Sequence, residues 1–333
     1  MDNRADIRPA RDVALLFPGQ GAQQRHMARG LYRRRADFRD RMDEVFDAWG
    51  PGAAELRDDW LAEHPGVDLD ALEHAQPLLF AVDWALGRTV LDWGVRPVAL
   101  LGHSVGEVAA AALAGVFTLQ EAAGLMADRV AQLADTPAGG MLAVHASAEQ
   151  LSGYLGADVV VGAVNGPRQV LLAGPQEPLD AAERRLRADG FTCRRARAGK
   201  PFHSPALAAA AELALPGLVG LPLRPPQLPL HSAYRPGPMS ARTATDPCFW
   251  ARQPAAPVLF GPALDGLLAA RDVLLLEAGP GQGLTGLARR HPAVTSGRSA
   301  VLPLSPVRSG DDASDLETLR AAAELLADAG HLT

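Results

Sequence analysis

An apolar run, Val98-Ala99-Leu100-Leu101, feeds directly into Gly102-His103-Ser104-Val105-Gly106 and then into an alanine-rich stretch that favours helix. Strand, tight turn and helix in that order constrain the fold more than any other feature. The Gly-x-Ser-x-Gly spacing is that of a nucleophile elbow, in which a strained turn lifts a serine hydroxyl clear of the sheet and the glycines prevent clashes with neighbouring strands. The N-terminus of the following helix also favours negative charge beside that hydroxyl.

The rest of the chain supplies more of the same alternation. Val13–Phe17 reads as a buried strand running into the turn Pro18-Gly19-Gln20-Gly21, helical patterns follow over Gln24–Trp49 and Pro77–Trp93, and another covers Glu121–Ala134. Between Gly139 and Gly199 the texture changes. Strands are expected at Met141–Ala146, Val159–Val164, Gln169–Ala173 and Phe191–Arg197, with helices at Ala148–Leu155 and Pro178–Asp189. That order, βαββαβ, is the ferredoxin-like unit. The flanking regions each look incomplete alone, so the expected organisation is a small subdomain, 138–200, inserted into a larger α/β domain formed by 1–137 and 201–333. Beyond His203 come a helix, a proline-rich passage at Leu221–Pro229, a short strand near Leu230, a buried strand at Val273–Leu276 and a C-terminal helix over Asp315–Ala329. Residues 1–11 are polar and expected to fray.

Composition narrows the function classes. With 333 residues and 48% hydrophobic content the chain can bury a sizeable core. A formal net charge of -6 argues against bulk nucleic-acid binding, which needs a concentrated basic surface. Cys193 and Cys248 build no disulfide framework and lack metal-ligand spacing, so both are expected to be packing residues in a reducing cytoplasm. The charged N-terminal stretch lacks the apolar core of a signal peptide, and the apolar stretch near Ala109 is too short and interrupted to cross a bilayer.

A serine nucleophile needs a base, and there are nine histidines to choose from: His26, His64, His74, His103, His145, His203, His231, His291 and His331. His203 stands in a constrained bend, Pro201-Phe202-His203-Ser204-Pro205, where the chain re-enters the large domain. An ordinary histidine at a helix start fits the same residues. His103 adjoins the serine, but neighbours on a tight turn usually point apart.

Phe17-Pro18-Gly19-Gln20-Gly21-Ala22-Gln23 together with Gly102-His103-Ser104-Val105-Gly106-Glu107 resembles the malonyl-CoA:acyl carrier protein transacylase family, which includes the acyltransferase domains of polyketide synthases. Gln76-Pro77, Gly115-Val116-Phe117, Asn165-Gly166-Pro167, Phe202-His203-Ser204-Pro205 and Gly279-Pro280-Gly281 match in order, so the similarity covers nearly the whole chain. The resemblance implies an α/β-hydrolase-like large domain with an inserted ferredoxin-like subdomain and an active site in the cleft between them. It implies Ser104 as nucleophile and His203 as general base, the latter oriented by the backbone carbonyl of Gln253 rather than by an aspartate. Oxyanion donors would be the backbone amides of Gln20 and Val105.

Arg129, 25 positions beyond Ser104, matches the arginine that clamps the free carboxylate of malonyl substrates, a task suited to guanidinium geometry. Gln76, Phe202, Asn165 and His103 fall in the implied substrate-binding set. Val105 and Phe202 are the residues that malonyl-selective relatives tend to carry, since a phenylalanine fills the space a methyl branch needs. Lys200-Pro201 and His231-Ser232-Ala233-Tyr234 depart from the usual pattern and weaken the substrate assignment more than the reaction. The implied partners are acyl-CoA and an acyl carrier protein, whose acidic helix would dock on Arg194, Arg195, Arg197 and Lys200 or on Arg289 and Arg290. No metal or redox cofactor, nucleic acid or membrane is implied, and a monomer is expected. Competing readings are a discrete acyltransferase for an unusual acyl or aminoacyl group, an editing hydrolase, and a non-catalytic carrier-protein binding module.

Overall fold

The computed structural model describes residues 11–332. The polar stretch expected to fray lies outside the described residues except for Arg11, which is buried and donates to the Gly297 carbonyl. Ten strands are found among the described residues: β1 (Asp12–Phe17), β2 (Ala99–Gly102), β3 (Gly139–Val144), β4 (Val160–Gly166), β5 (Gln169–Pro175), β6 (Cys193–Arg195), β7 (Leu230–Ser232), β8 (Gly237–Pro238), β9 (Val273–Glu277) and β10 (Ala300–Pro303).

Six of them form one sheet in the order β10-β9-β1-β2-β7-β8, parallel throughout except for the β7–β8 pair. A parallel sheet is covered on both faces, which is why β1 and β9 are apolar at nearly every position. Leu15 and Phe17 pack on one side with Leu100, Leu274 and Leu276, under the helices Ala36–Trp49, Leu72–Asp92 and Val105–Leu113. Ala14 and Leu16 point the other way with Leu101 and Leu275, under the helix Phe260–Ala270. In register, Phe17 lies opposite Gly102 and Leu16 opposite Glu277, so the three central strands end at one level. The loops that leave them are therefore gathered at the carboxyl edge, where open α/β sheets bind ligands.

The other four strands form an antiparallel sheet, order β4-β5-β3-β6, which is the ferredoxin-like arrangement. One face packs Leu142, Val144, Val170 and Leu172 on Leu179, Ala182 and Leu186 of the helix Gln176–Ala188. The opposite face presents Met141, Ala163 and Ala173 to Phe202 and Phe260 of the large sheet's cover. Val258 and β4 exchange backbone hydrogen bonds, Val164 N–H to Val258 and Val258 N–H to Gly162, at 2.8 and 2.9 Å.

Several elements differ from the sequence expectation. The first helix of the small unit is only a 3-10 turn, Ser152–Tyr154. Ser147 and Gln150 cap each other as in a helix start, but Gly153 and Gly156 follow within two turns and the helix does not propagate. The helix expected from Pro77 begins at Leu72. Pro77 is the sixth residue of this helix, where it removes one intrahelical bond and crowds the Glu73 carbonyl, and burial of Leu72, Ala75 and Gln76 around it offsets that cost. The Gln24–Trp49 pattern splits into turns and two helices, Arg29–Arg34 and Ala36–Trp49, separated by the extended residue Arg35. The helix Ala53–Leu61 and the short strand β10 carry no clear pattern in the sequence.

Candidate active site

Ser104 occupies the bend between β2 and the helix Val105–Leu113 with φ 55° and ψ -118°, a conformation that L-residues adopt only under constraint. The constraint is packing. A Cβ on Gly106 would lie 2.3 Å from the Phe17 carbonyl oxygen, so the elbow rests directly on the end of β1. The loop after β1 closes over it equally tightly: a Cβ on Gly19 would lie 2.5 Å from the His103 carbonyl oxygen and 3.2 Å from Ser104 Cβ. Gln20 is thereby carried to the rim of the serine. Val105 is the first helical residue, so its N–H has no intrahelical acceptor. Among the described residues, neither this amide nor that of Gln20 donates to a protein acceptor.

His203 is brought in from the segment after β6. Its amide donates to the Pro254 carbonyl at 2.7 Å, and Ser204 Oγ ties the bend by donating to Pro201 at 2.6 Å. The backbone is held at φ 62°. Nδ1 faces two carbonyl oxygens, Gln253 at 3.2 Å and Ala256 at 3.0 Å, while Nε2 lies 2.9 Å from Ser104 Oγ. Carbonyls only accept, so Nδ1 carries the hydrogen and Nε2 is left to accept from the serine hydroxyl. Burial, reinforced by the neighbouring His103 ring and Arg129, pushes His203 down to about 3 against the two carbonyls that favour its cation. The imidazole is thus neutral at physiological pH.

The remaining implied binding residues ring this pair. His103 turns away from the serine, as its place on a tight turn suggests, and its Nε2 meets Asn165 Oδ1 of β4 at 2.9 Å, a bond between the two sheets' territories. Gln76 donates to the Gln20 side chain at 3.1 Å, leaving its own buried Oε1 without a partner among the described residues. Arg129 is buried, and its Nη2 donates to the Trp250 carbonyl at 3.1 Å and to Gln253 Oε1 at 3.4 Å. Phe202 lies beside His203 with ring centroids 6.3 Å apart and, with Gln20, Leu72 and Val130, lines a cavity of about 630 Å³. A second cavity, about 470 Å³, is lined by Asn165, Arg168 and Arg290. The Val105 side chain packs in the core, so what it presents here is its amide.

Three neighbours were not singled out in the sequence. Ala256 contributes the second carbonyl to His203. Tyr234 places its ring 6.0 Å from that of His203 and its hydroxyl beside Ser104, and burial pushes the phenol up so that it stays protonated. Glu107, fully buried, accepts from Ser232, Ala233 and Gln253, and burial pushes it up to about 8. Glu107 was visible only as the last letter of the elbow motif, and Tyr234 only as part of a departure from the usual pattern.

The basic clusters are unequal. Arg194 is exposed on the edge strand β6, and Arg289 is exposed after the helix Gly283–Ala288. Arg195 pairs with Glu183 at 2.6 Å and with Asp180, and Lys200 donates to the carbonyls of Ala134 and Thr136 at 2.7 and 2.6 Å, capping a helix end. Arg290 reaches Gln169 on the small sheet at 2.8 Å. Among the described residues no helix is long and apolar enough to cross a membrane, and no group of three or more His, Cys, Asp or Glu is placed to hold a metal ion.

Comparison with known proteins adds independent findings. A family profile described as acyl transferase domain matches residues 14–290. A phenolphthiocerol/phthiocerol polyketide synthase protein of Mycobacterium tuberculosis is 38% identical over 332 residues, covering 97% of this chain and 22% of that protein. Polyketide synthase GfsB of Streptomyces halstedii is 36% identical over 290 residues, covering 85% of this chain and 5% of its own length. The chain therefore spans less than a quarter of these relatives. Among solved structures, the acyltransferase domain from the second module of the salinomycin polyketide synthase aligns with TM-score 0.86 and 31% identity over 97% of this chain and 74% of that one. Malonyl-CoA:ACP transacylase of Synechocystis sp. PCC 6803 shares the fold, with TM-score 0.78 and 22% identity over 93% of this chain and 99% of that one.

Proposed function

The chain belongs to the acyl transferase domain family, and from that premise we propose that it moves a malonyl-type acyl group from coenzyme A, through an ester on Ser104, to the phosphopantetheine thiol of an acyl carrier protein in polyketide or fatty acid synthesis. The observation that carries this reading is the 2.9 Å contact between Ser104 Oγ and His203 Nε2, with Nδ1 committed to two carbonyls.

The steps are those of a ping-pong transfer. Nε2 takes the hydroxyl proton as Oγ attacks the thioester carbonyl. The resulting oxyanion is met by the amides of Gln20 and Val105, fixed donors that need no reorganisation. His203 returns the proton to the departing thiolate, and CoA leaves. In the second half-reaction the carrier's thiol gives its proton to His203 and attacks the ester, and Ser104 is regenerated. Carbonyls suffice to orient the imidazole because a thiolate is a good leaving group and the imidazolium is short-lived. Arg129 pairs with the free carboxylate of the acyl unit, Phe202 limits substitution at the α-carbon, and Gln76, Asn165 and His103 line the acyl and pantetheine path.

The inserted subdomain is proposed as 138–200, within a large domain of 1–137 and 201–333, and the protein is proposed to act as a cytoplasmic monomer without a metal or redox cofactor. Arg194, Arg289 and Arg290 are proposed to receive the carrier's acidic helix, with Arg195 and Lys200 contributing less because their charges are engaged internally. The cavity beyond Phe202 favours a second reading, a larger acyl unit on the same serine.

Intact-protein mass after incubation with malonyl-, methylmalonyl- and acetyl-CoA tests the acyl-enzyme step and the donor preference. A malonyl adduct that disappears in Ser104→Ala is expected, and a bulkier donor outcompeting malonyl supports the second reading. A folded wild-type enzyme that no donor acylates overturns the assignment.

A further inference from the structure

Glu107 lies three residues after Ser104 on the elbow helix, fully buried, and the transfer chemistry leaves it without a task. Its hydrogen-bond neighbours are all donors. The Ala233 amide approaches one oxygen at 2.8 Å, and the Ser232 hydroxyl and the Gln253 side-chain amide approach the other at 2.9 and 3.4 Å. Ser232 has no choice of direction. Its Oγ already accepts from the amides of Tyr234 and Arg235 at 3.0 and 3.1 Å, so both lone pairs are used and its proton points at Glu107. Three donors and no acceptor suit a carboxylate.

The balancing cation is Arg129, and one side chain joins the two. Gln253 donates from Nε2 to Glu107 and accepts on Oε1 from Arg129 Nη2 at 3.4 Å. Of the other ionisable groups on elements packed against the elbow helix, Tyr234 acts on Glu107 and stays a neutral phenol, while His103 and His203 are neutral and Asp83 is held protonated by its own burial. Among the described residues, Arg129 is thus the single cation facing this carboxyl.

Resting on the reading of Arg129 as the clamp for a free acyl carboxylate, we propose that Glu107 and the substrate carboxylate are alternative counter-ions of Arg129, so that a dicarboxylic donor is accepted only with Glu107 carrying a proton drawn from solvent. Above about pH 8, with the clamp empty, one buried cation faces one buried anion, whereas below it Glu107 already carries its proton. With the clamp filled, two carboxylates share one guanidinium in a low-dielectric crevice, and the surplus charge costs far more than taking up a proton. The group that protonates is the one held through Gln253 rather than in direct contact with Arg129. Only one O–H bond forms, at a Glu107 oxygen, and no covalent step of the transfer changes. Burial sets the transition near pH 8. Glu107 is in this sense a positioning residue for the clamp.

The test is the ratio of kcat/KM for malonyl-CoA to that for acetyl-CoA, measured for transfer to carrier protein from about pH 6 to about pH 9.5, because titrations of the serine, His203 and the thiols affect both donors alike and cancel. The ratio should be level below about pH 8 and fall about tenfold per pH unit above it, as one linked proton requires. Glu107→Gln, which cannot ionise, should abolish that fall. A wild-type ratio that stays level to the top of the range overturns the proposal, as does a fall that survives in Glu107→Gln. If that variant does not fold, the wild-type ratio alone decides. Failure of malonyl-CoA to acylate the enzyme at any pH instead removes the clamp reading, and this proposal with it.

Discussion

At Ser104 and His203, the nucleophile and base proposed above, the surroundings set the terms of the chemistry. A histidine in water titrates near 6.5, but this one is pushed down to about 3 by burial. The free base is therefore available well below neutrality. With acetyl-CoA as donor, kcat/KM should be level through pH 6.5 and downward, and an inflection near 6.5 would show that the imidazole is solvated in solution. Arg129 is the residue whose role the sequence suggested least securely, because the chain is rich in arginine. Its burial beside Gln253 and Trp250 separates it from the solvated ones. Arg129→Ala should reduce malonyl kcat/KM by roughly a hundredfold, the worth of a charge-assisted pair, with far less effect on acetyl. Equal losses for both donors would remove the carboxylate clamp. Glu107 and Tyr234 were illegible at this scale, since nothing in the spelling of a motif says which of its neighbours are buried together.

Secondary-structure elements were legible in proportion to how far local pattern controls them. The buried strands β1, β2 and β9 are apolar except at Asp12 and Glu277, and each lies within a residue or two of its expected bounds. The helix Leu119–Ala134, which carries Arg129, begins with a capping box in which Thr118 Oγ accepts from the Glu121 amide and the Glu121 carboxylate accepts from the Thr118 amide. Arg224 pairs with the same carboxylate at 2.7 Å and holds it at about 2. Thr118→Ala should therefore cost about 1 kcal/mol of stability, measured as a lower urea midpoint, while an unchanged midpoint would mean the Arg224 pair alone secures the helix start. Where tertiary packing outweighed propensity, expectation failed. Pro77 sits inside a helix because the first turn, from Leu72, is buried against the body of the protein; the 3-10 turn at Ser152 is the opposite, local case, in which glycines follow before a helix can propagate.

Across the whole molecule, buried acids govern the dependence of stability on pH. Asp83, Glu107 and Glu277 are all raised by burial above ordinary carboxylates. A raised group gives stability that is fully present below its unfolded value and is lost as pH rises through the folded one. His203, depressed by burial, has the opposite sign: its contribution is complete above about 6.5 and is lost as pH falls towards 3. Between 6.5 and about 8 only the acids act, so urea midpoints should decline across that interval, and Asp83→Asn should lessen the slope. A midpoint that rises there would show that these carboxylates are ionised in the folded protein. The sequence by itself determined the elbow turn, the apolar strands beside it and the four-stranded insert, because each is written in contiguous residues whose periodicity and turn chemistry act locally. Only the tertiary structure decided that Phe17, Gly102 and Glu277 end level, that β4 docks on Val258 and brings Asn165 to His103, and that Gln253 links Arg129 to Glu107. Those relations join residues at least 62 positions apart, and burial creates them only when the whole chain has closed around them.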